Sequence, residues 1–133
     1  MGQAVCERSI LVVEDDRAVR DLAAAILEET EFRVVEAESG EAALHHLKQH
    51  AEEVVLVFTD IRIPCFLDGV DLAQAVSTRW PWIKVVVTSG APGDRVDHLP
   101  SAATFLPKPW SALDVLVAAE QAAGQPRSMS ETR

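Results

Sequence analysis

The chain has 133 residues, which suits one domain and leaves no room for a second domain of ordinary size. Hydrophobic residues make up 48% of the sequence and charged residues 25%, so the chain can bury a core and does not belong to the disordered class. Twelve basic against twenty-one acidic residues give a net charge of −9, which disfavours nucleic acids and anionic membranes as partners because their phosphates are repelled. A metal ion or a cationic partner suits this charge better.

No apolar stretch approaches the roughly 20 residues that a membrane-spanning helix needs. Residues 1–9 lack the basic start and apolar middle of a signal peptide. We therefore expect a cytoplasmic protein that does not interact with membranes. Cys6 and Cys65 match no metal-binding spacing, and we expect both to be free thiols.

Five short apolar segments rich in β-branched residues alternate with segments of helical periodicity. The predicted strands cover residues 10–13, 32–37, 54–58, 83–87 and 103–106. Because these strands are continuously apolar and are separated by helices, they predict a parallel sheet covered on both faces. The expected fold class is therefore α/β, an open, doubly wound five-stranded sheet.

The helices between the strands have recognisable starts and apolar faces. Ser39 is the predicted N-cap of the second helix, and Ser111 that of the last helix. The residues expected to face the core are Val19, Leu22, Ala23, Ile26 and Leu27 in the first helix and Leu113, Leu116 and Val117 in the last.

The segment between the fourth and fifth strands is poor in helix formers. Residues 91–100 include two prolines and a glycine, which limit any helix there to one or two turns. We therefore expect a reduced fourth helix. Residues 1–7 are expected to form an N-terminal extension and residues 124–133 a flexible tail, leaving residues 8–123 as the domain.

Polar residues follow four of the five predicted strands. They are Glu14, Asp15 and Asp16 after the first strand, Asp60 after the third, Thr88 and Ser89 after the fourth, and Lys108 after the fifth. The second strand contributes nothing notable. In open α/β sheets ligands bind outside the carboxyl ends of the strands, so these residues define a candidate site. Clustered carboxylates favour a hard cation, Mg²⁺ above all, and a lysine and a hydroxyl beside them suit a phosphoryl group.

The residues at these strand ends form four motifs. They are Ile10 to Asp16, Thr59 to Pro64 with a later Asp68-Gly69, Val87 to Gly90, and Phe105 to Pro109. In this order they resemble the receiver domain of two-component response regulators, over about residues 8–123. The resemblance implies the strand order 2-1-3-4-5. The sequence departs from the usual pattern in having one additional residue before Asp68-Gly69, with Cys65 and its neighbours in that loop.

The resemblance implies that Asp60 is the phosphoacceptor and that Mg²⁺ is the cofactor. Asp15 would bind the metal directly and Glu14 through water, with Asp16 as the second choice for this pair. Asp60 itself and the backbone carbonyl of Arg62 would complete the protein ligands of the metal.

The same resemblance implies a phosphate-binding and switching set. Ser89 matches the switch hydroxyl, with Thr88 as the adjacent alternative. Lys108 would pair with Asp60 before phosphorylation and with a phosphoryl oxygen afterwards. Phe105 occupies the position of the switch aromatic, three residues before this lysine.

These assignments predict a stand-alone, single-domain response regulator, a phosphoacceptor switch and not an enzyme with a separate substrate. Its partners would be a sensor histidine kinase or phosphotransfer protein and an unidentified downstream protein, with a second copy of the chain as a further candidate. Two alternatives remain open, a phosphorylation-independent interaction module and a phosphate sink. A phosphatase with an aspartyl nucleophile is disfavoured, because Arg62 stands where such enzymes have a second acid.

Individual residues also have structural interpretations. The acidic run from Glu14 to Asp16 could be a solvated loop and helix start, where carboxylates are favoured by the helix dipole. Asp60 could cap a turn, and Phe105 could simply be part of the core.

Overall fold

The polypeptide alternates strands and helices along its length. The computed structural model describes residues 8–63, 67–90 and 96–123. Its elements are β1 (Ser9–Val13), α1 (Arg17–Leu27), β2 (Arg33–Ala37), α2 (Gly40–His50), a 3-10 turn (Ala51–Glu53), β3 (Val54–Asp60), α3 (Gly69–Arg79), β4 (Lys84–Ser89), a 3-10 turn (Val96–His98), β5 (Thr104–Pro107) and α4 (Ala112–Ala123).

The five strands form one parallel sheet in the order β2-β1-β3-β4-β5, which confirms the predicted fold class and strand order. Their register aligns the carboxyl ends. Val13 pairs with Thr59, Asp60 pairs with Thr88, and Ser89 pairs with Pro107. The residues that end or follow β1, β3, β4 and β5 are therefore brought to one edge of the sheet.

Alternate residues of the strands build two apolar cores, one on each face of the sheet. Leu11, Val57 and Val85 point to the face covered by α2 and α3, where the larger buried cluster lies. Ile10, Phe58 and Val86 point to the opposite face, where Leu27 of α1 and Val115 of α4 complete the second cluster. Burial on both faces explains why the inner strands β1, β3 and β4 are largely apolar, whereas the edge strands β2 and β5 carry exposed residues.

Side-chain caps fix the starts of the helices. Ser39 accepts a hydrogen bond from the Ala42 N–H at the start of α2, and Ser111 accepts one from the Asp114 N–H at the start of α4, as predicted. Asp68 and Asp71 cap α3 reciprocally. Asp16 caps α1, because its Oδ1 accepts from the backbone N–H groups of Ala18 and Val19.

The prediction of which face of α4 points inward is wrong. Leu113 is 68% exposed and Val117 42% exposed, and Leu116 is only half-buried, whereas Val115 and Ala119 are fully buried. Apolar residues surround most of this helix, so their spacing does not define a unique face.

One residue of the predicted inward face of α1 is also misplaced. Leu22 is 53% exposed, although its neighbours Ala23 and Ala24 and the later Leu27 are buried. The small alanines and Leu27 carry the packing of α1 against the sheet, and the prediction of Leu22 as a core residue is wrong.

Only the second half of the connection between β4 and β5 is described. Val96 and Leu99 pack against the α2 and α3 core, and Gln74 Nε2 of α3 donates a 2.7 Å hydrogen bond to the carbonyl of His98. The prediction of a reduced fourth helix falls partly on residues 91–95, which lie outside the described residues. The predicted extension (1–7), tail (124–133) and the central residues of the loop after Ile63 (64–66) also lie outside them.

Among the described helices none has the length and apolarity needed to cross a membrane.

Substitutions on α4 test the corrected face. Val115→Ala is expected to lower the free energy of unfolding by about 2 kcal/mol, because it leaves a cavity in a fully buried position. Leu113→Ala is expected to lower it by less than about 0.5 kcal/mol, because this side chain is largely exposed. Chemical denaturation followed by circular dichroism measures both values, and equal losses would contradict the face described here.

Candidate functional site

The lysine after β5 joins two carboxylates from two other strand ends. Lys108 Nζ lies 2.8 Å from Asp60 Oδ2 and 3.6 Å from Glu14 Oε1. The three side chains are 26%, 11% and 8% exposed, respectively. Charge-assisted contacts that are shielded from water are stronger than those on an open surface. The structure thus brings Glu14, Asp60 and Lys108 together at the predicted edge.

Backbone hydrogen bonds hold the groups around this ionic cluster. The Lys108 N–H donates to the Ser89 carbonyl at 3.0 Å, and the Ile61 N–H donates to the Thr88 carbonyl at 2.9 Å. The carboxylate of Asp60 accepts a 3.1 Å hydrogen bond from the Arg62 N–H through Oδ1. Asp60 therefore has one oxygen on Lys108 and the other on the backbone of the following loop.

The start of α3 lies directly against the backbone of Asp60. A Cβ atom at Gly69 would lie 2.1 Å from the Asp60 carbonyl oxygen and 2.6 Å from the Cα atom of Ile61. No side chain fits in that space, so this close approach requires glycine. The Gly69 N–H also donates to the Ile61 carbonyl at 2.9 Å. Steric exclusion of any side chain thus explains why the Asp68-Gly69 motif has glycine at its second position.

The carboxylate of Glu14 is in an unfavourable environment for its charge. Burial raises the pKa of Glu14 to about 7, and the neighbouring Asp60 contributes in the same direction. A hydrogen bond from the Asp16 N–H to Glu14 Oε2 and the charge of Lys108 oppose this shift without cancelling it. At neutral pH, the protonated and the ionised form of Glu14 are therefore both populated.

The neighbouring carboxylates decide the net shift of the Lys108 pKa. Burial alone would lower the pKa of the Lys108 ammonium, but the hydrogen bond to Asp60 and the charges of Asp60 and Glu14 raise it overall. The lysine is consequently charged at neutral pH. A single cation thus faces two carboxylates, which leaves the cluster able to accept further positive charge.

The chemistry of the donors fits Mg²⁺. This ion is commonly bound by one or two carboxylates together with water and phosphate oxygens, and Glu14 and Asp60 supply two such groups in contact. Asp15 is exposed beside them at the same loop. Within the described ranges, no three histidine, cysteine or carboxylate side chains lie close enough together to form a metal-binding group by themselves. Water or a phosphate oxygen would therefore have to complete the coordination.

The remaining predicted residues lie on β4 and β5. Ser89 is 4% exposed and Thr88 is 1% exposed, so both hydroxyls belong to the buried end of β4. Phe105 is 37% exposed on the edge strand. Its ring is therefore not a buried core group. The backbone carbonyl of Arg62 belongs to the loop that contacts Asp60.

Sequence analysis missed two residues that support this site. Arg20 of α1 donates from Nη1 to the carbonyl oxygen of Glu14 at 2.9 Å and from Nε to Glu36 Oε1 of β2 at 3.2 Å. The expectation that the second strand contributes nothing is therefore wrong. The available signal was Glu36, a charged residue within the edge strand β2, but its partner depends on strand register and helix packing.

The pKa of Glu14 predicts a pH-dependent effect of removing its charge. Below pH 4.5 Glu14 is protonated in both the unfolded and the folded chain, and above about pH 7 it is ionised in both. Its destabilising contribution therefore grows across this range and is complete at pH 8. Glu14→Gln is expected to raise the free energy of unfolding on the order of 3 kcal/mol at pH 8, because one pKa unit corresponds to about 1.4 kcal/mol and the raised pKa already includes the attraction to Lys108.

Thermal and chemical denaturation in EDTA at pH 4.5 and pH 8 measure this difference. Glu52→Gln, an exposed substitution with the same change of charge, is the control. A stabilisation of equal size in both variants, or one that is present already at pH 4.5, would contradict this explanation.

The comparisons with known proteins agree with this geometry. The family model of the response regulator receiver domain matches residues 10–120. The transcriptional regulatory protein PdtaR of Mycobacterium tuberculosis is 30% identical over 132 residues, which are 97% of this chain and 63% of PdtaR. The sensor kinase CckA of Brucella abortus is 36% identical over 106 residues, which are 77% of this chain and 11% of CckA. The chain therefore spans less than two thirds of either relative.

Solved structures show the same fold. A response regulator receiver domain protein from Clostridium thermocellum has a TM-score of 0.80 at 24% identity, covering 89% of this chain and 95% of the other. NtrX from Brucella abortus has a TM-score of 0.81 at 31% identity, covering 94% of this chain and 29% of NtrX. With the family model matching most of its length, this chain belongs to the response regulator receiver domain family of two-component signalling systems.

Proposed function

We propose that this protein accepts a phosphoryl group on Asp60 from the phosphohistidine of a sensor histidine kinase or phosphotransfer protein. The observation that carries the proposal is the 2.8 Å contact between Lys108 Nζ and Asp60 Oδ2, with Glu14 beside it at the same sheet edge. Membership of the receiver family supports a role in two-component signalling. Receiver domains act as phosphoacceptor switches, which argues against a separate substrate.

The transfer forms one bond and breaks another. An oxygen of the Asp60 carboxylate attacks the phosphorus of the phosphohistidine, an O–P bond forms, and the N–P bond breaks. The electron pair of the broken bond stays on the imidazole nitrogen of the donor protein. The product on this chain is an aspartyl phosphate, an acyl phosphate that water can later hydrolyse.

Charge neutralisation is the main requirement of such a transfer, because the transition state carries little covalent character. Lys108 moves from the Asp60 carboxylate to a phosphoryl oxygen, which needs only a small displacement of its Nζ. Glu14, Asp60 and the carbonyl of Arg62 would hold Mg²⁺, with Asp15 joining them only if its exposed side chain turns toward them, and the ion would supply further positive charge. Asp16 is less suited to this role because it caps α1.

The readout of phosphorylation uses β4 and β5. The hydroxyl of Ser89, or that of Thr88, binds a phosphoryl oxygen, and the half-exposed ring of Phe105 repacks in response. The contact from the Lys108 N–H to the Ser89 carbonyl ties the two strand ends together, so a change at one reaches the other. The rearranged surface then binds a downstream protein. The whole switch operates in the cytoplasm, where the phosphohistidine donors of two-component systems present their phosphoryl groups.

Intact mass spectrometry tests the acceptor directly. The wild-type chain incubated with Mg²⁺ and acetyl phosphate is expected to gain the mass of one phosphoryl group, and Asp60→Asn is expected to gain none while keeping its fold. Asp21→Asn, on the exposed surface of α1, is the matched control and should behave as wild type. Phosphorylation of Asp60→Asn would overturn the assignment. No phosphorylation of wild type by acetyl phosphate or by histidine kinases would favour an interaction module that works without phosphorylation.

A second variant separates acceptance from switching. Lys108→Ala is expected to keep Mg²⁺ binding and detectable phosphorylation, but to lose the conformational response, because no cation then links the phosphoryl group to β5. Hydrogen exchange of peptides from residues 84–107, with and without acetyl phosphate, measures this response. Lys48→Ala, at an exposed position of α2, is the control. An unchanged exchange response in Lys108→Ala would argue against the lysine as the link.

A further inference from the structure

The β1–α1 loop, which carries Glu14 and Asp15, is tied to strand β2 at two points. The Glu14 N–H donates to the Ala37 carbonyl at 3.0 Å. The Glu14 carbonyl accepts from Arg20 Nη1 at 2.9 Å, and Arg20 in turn holds Glu36 at 3.2 Å. Both polar groups of the Glu14 backbone are therefore fixed by the end of β2, one directly and one through the arginine.

The hydrogen bond from Arg20 fixes the peptide plane between Glu14 and Asp15. Because a peptide bond is planar, a donor held on the Glu14 carbonyl oxygen also sets the direction of the Asp15 N–H and Cα atom. The Arg20 side chain is only 16% exposed, so water competes poorly for this carbonyl. The direction in which Asp15 leaves the loop thus depends on Arg20.

The chemical nature of arginine suits this task. Its planar guanidinium can donate to two acceptors in fixed directions, whereas a lysine ammonium acts as a point charge. Nε donates to Glu36 and Nη1 donates to the Glu14 carbonyl, so different edges of one rigid planar group hold the two acceptors. An exposed arginine on the same helix has no such arrangement, since the side chain of Arg17 is 85% exposed and lies 3.9 Å from Asp21.

We infer that Arg20, held by Glu36, is a positioning residue for the divalent cation of this site, because it fixes the backbone that directs Glu14 and Asp15. This inference rests on the proposed function in taking these two carboxylates as metal ligands. Arg20 itself touches neither the metal nor the phosphoryl group. It acts on the geometry of the ligands, as groups that orient metal ligands do in other metal sites.

Isothermal titration of Mg²⁺ into the metal-stripped chain tests the inference without phosphorylation. Arg20→Ala is expected to raise the Mg²⁺ dissociation constant about tenfold, the lower end of the effect of removing such orienting contacts. Arg20→Lys should recover part of the affinity, because one donor can still reach the Glu14 carbonyl. Glu36→Ala should weaken binding to a smaller degree, and combining it with Arg20→Ala should add little, because both act through the same contact. Arg17→Ala is the control and should leave the constant unchanged.

Melting temperatures distinguish positioning from simple stabilisation. The inference is overturned if Arg20→Ala lowers the melting temperature but binds Mg²⁺ with the same dissociation constant as the Arg17→Ala control. If wild type binds no Mg²⁺ at all, it is overturned as well. If wild type binds Mg²⁺ but does not accept a phosphoryl group, the proposed function fails, and the comparison of dissociation constants still decides the role of Arg20.

The rate of phosphorylation gives an independent readout. In Arg20→Ala, the Mg²⁺ concentration that gives half of the maximal rate with acetyl phosphate should rise about tenfold, in parallel with the dissociation constant. The rate at saturating Mg²⁺ should change less than twofold, since Asp60 and Lys108 are untouched. A large fall in the saturated rate with unchanged half-saturation would overturn the inference.

Discussion

The contact that the candidate site depends on is the ion pair between Lys108 and Asp60, which joins residues 48 positions apart in the sequence. Two carboxylates packed at a sheet edge repel each other, and the lysine compensates part of that repulsion. Its ammonium can only reach them if β5 lies in register beside β4, and β4 beside β3. The electrostatics of the site therefore depend on the order of the sheet.

This arrangement leaves the edge with more negative than positive charge. Burial is the largest cause of the raised pKa of Glu14, and the charge of Asp60 adds to it. A bound cation would stabilise a site of this kind, because it would offset the excess negative charge. A phosphoryl group would also be stabilised there, because its oxygen atoms would accept hydrogen bonds from the lysine and from backbone N–H groups. The same excess of charge thus suits both parts of the proposed chemistry.

Features set by local sequence were predictable, and features set by packing were not. Continuous apolar runs predicted all five strands, and Ser39 and Ser111 predicted two helix starts, because strands and caps depend on neighbouring residues. The meeting of Glu14, Asp60 and Lys108 followed from the rule that parallel strands end at one edge. The buried face of α4 did not follow, since the helix is apolar on several sides. The Arg20 bridge depends on contacts between β1, α1 and β2, which no local pattern reports.

The glycine at the start of α3 has a consequence for how the protein can transmit a signal. Because helix α3 begins against the carbonyl of Asp60 without any intervening side chain, the backbone of Asp60 cannot move closer to this helix. If a phosphoryl group is attached to its carboxylate, as proposed, side chains that change partners would have to sense it. Under the proposed function, Lys108 and the hydroxyls of β4 would pass on the change, and the Asp60 backbone packed against α3 would serve as their fixed reference.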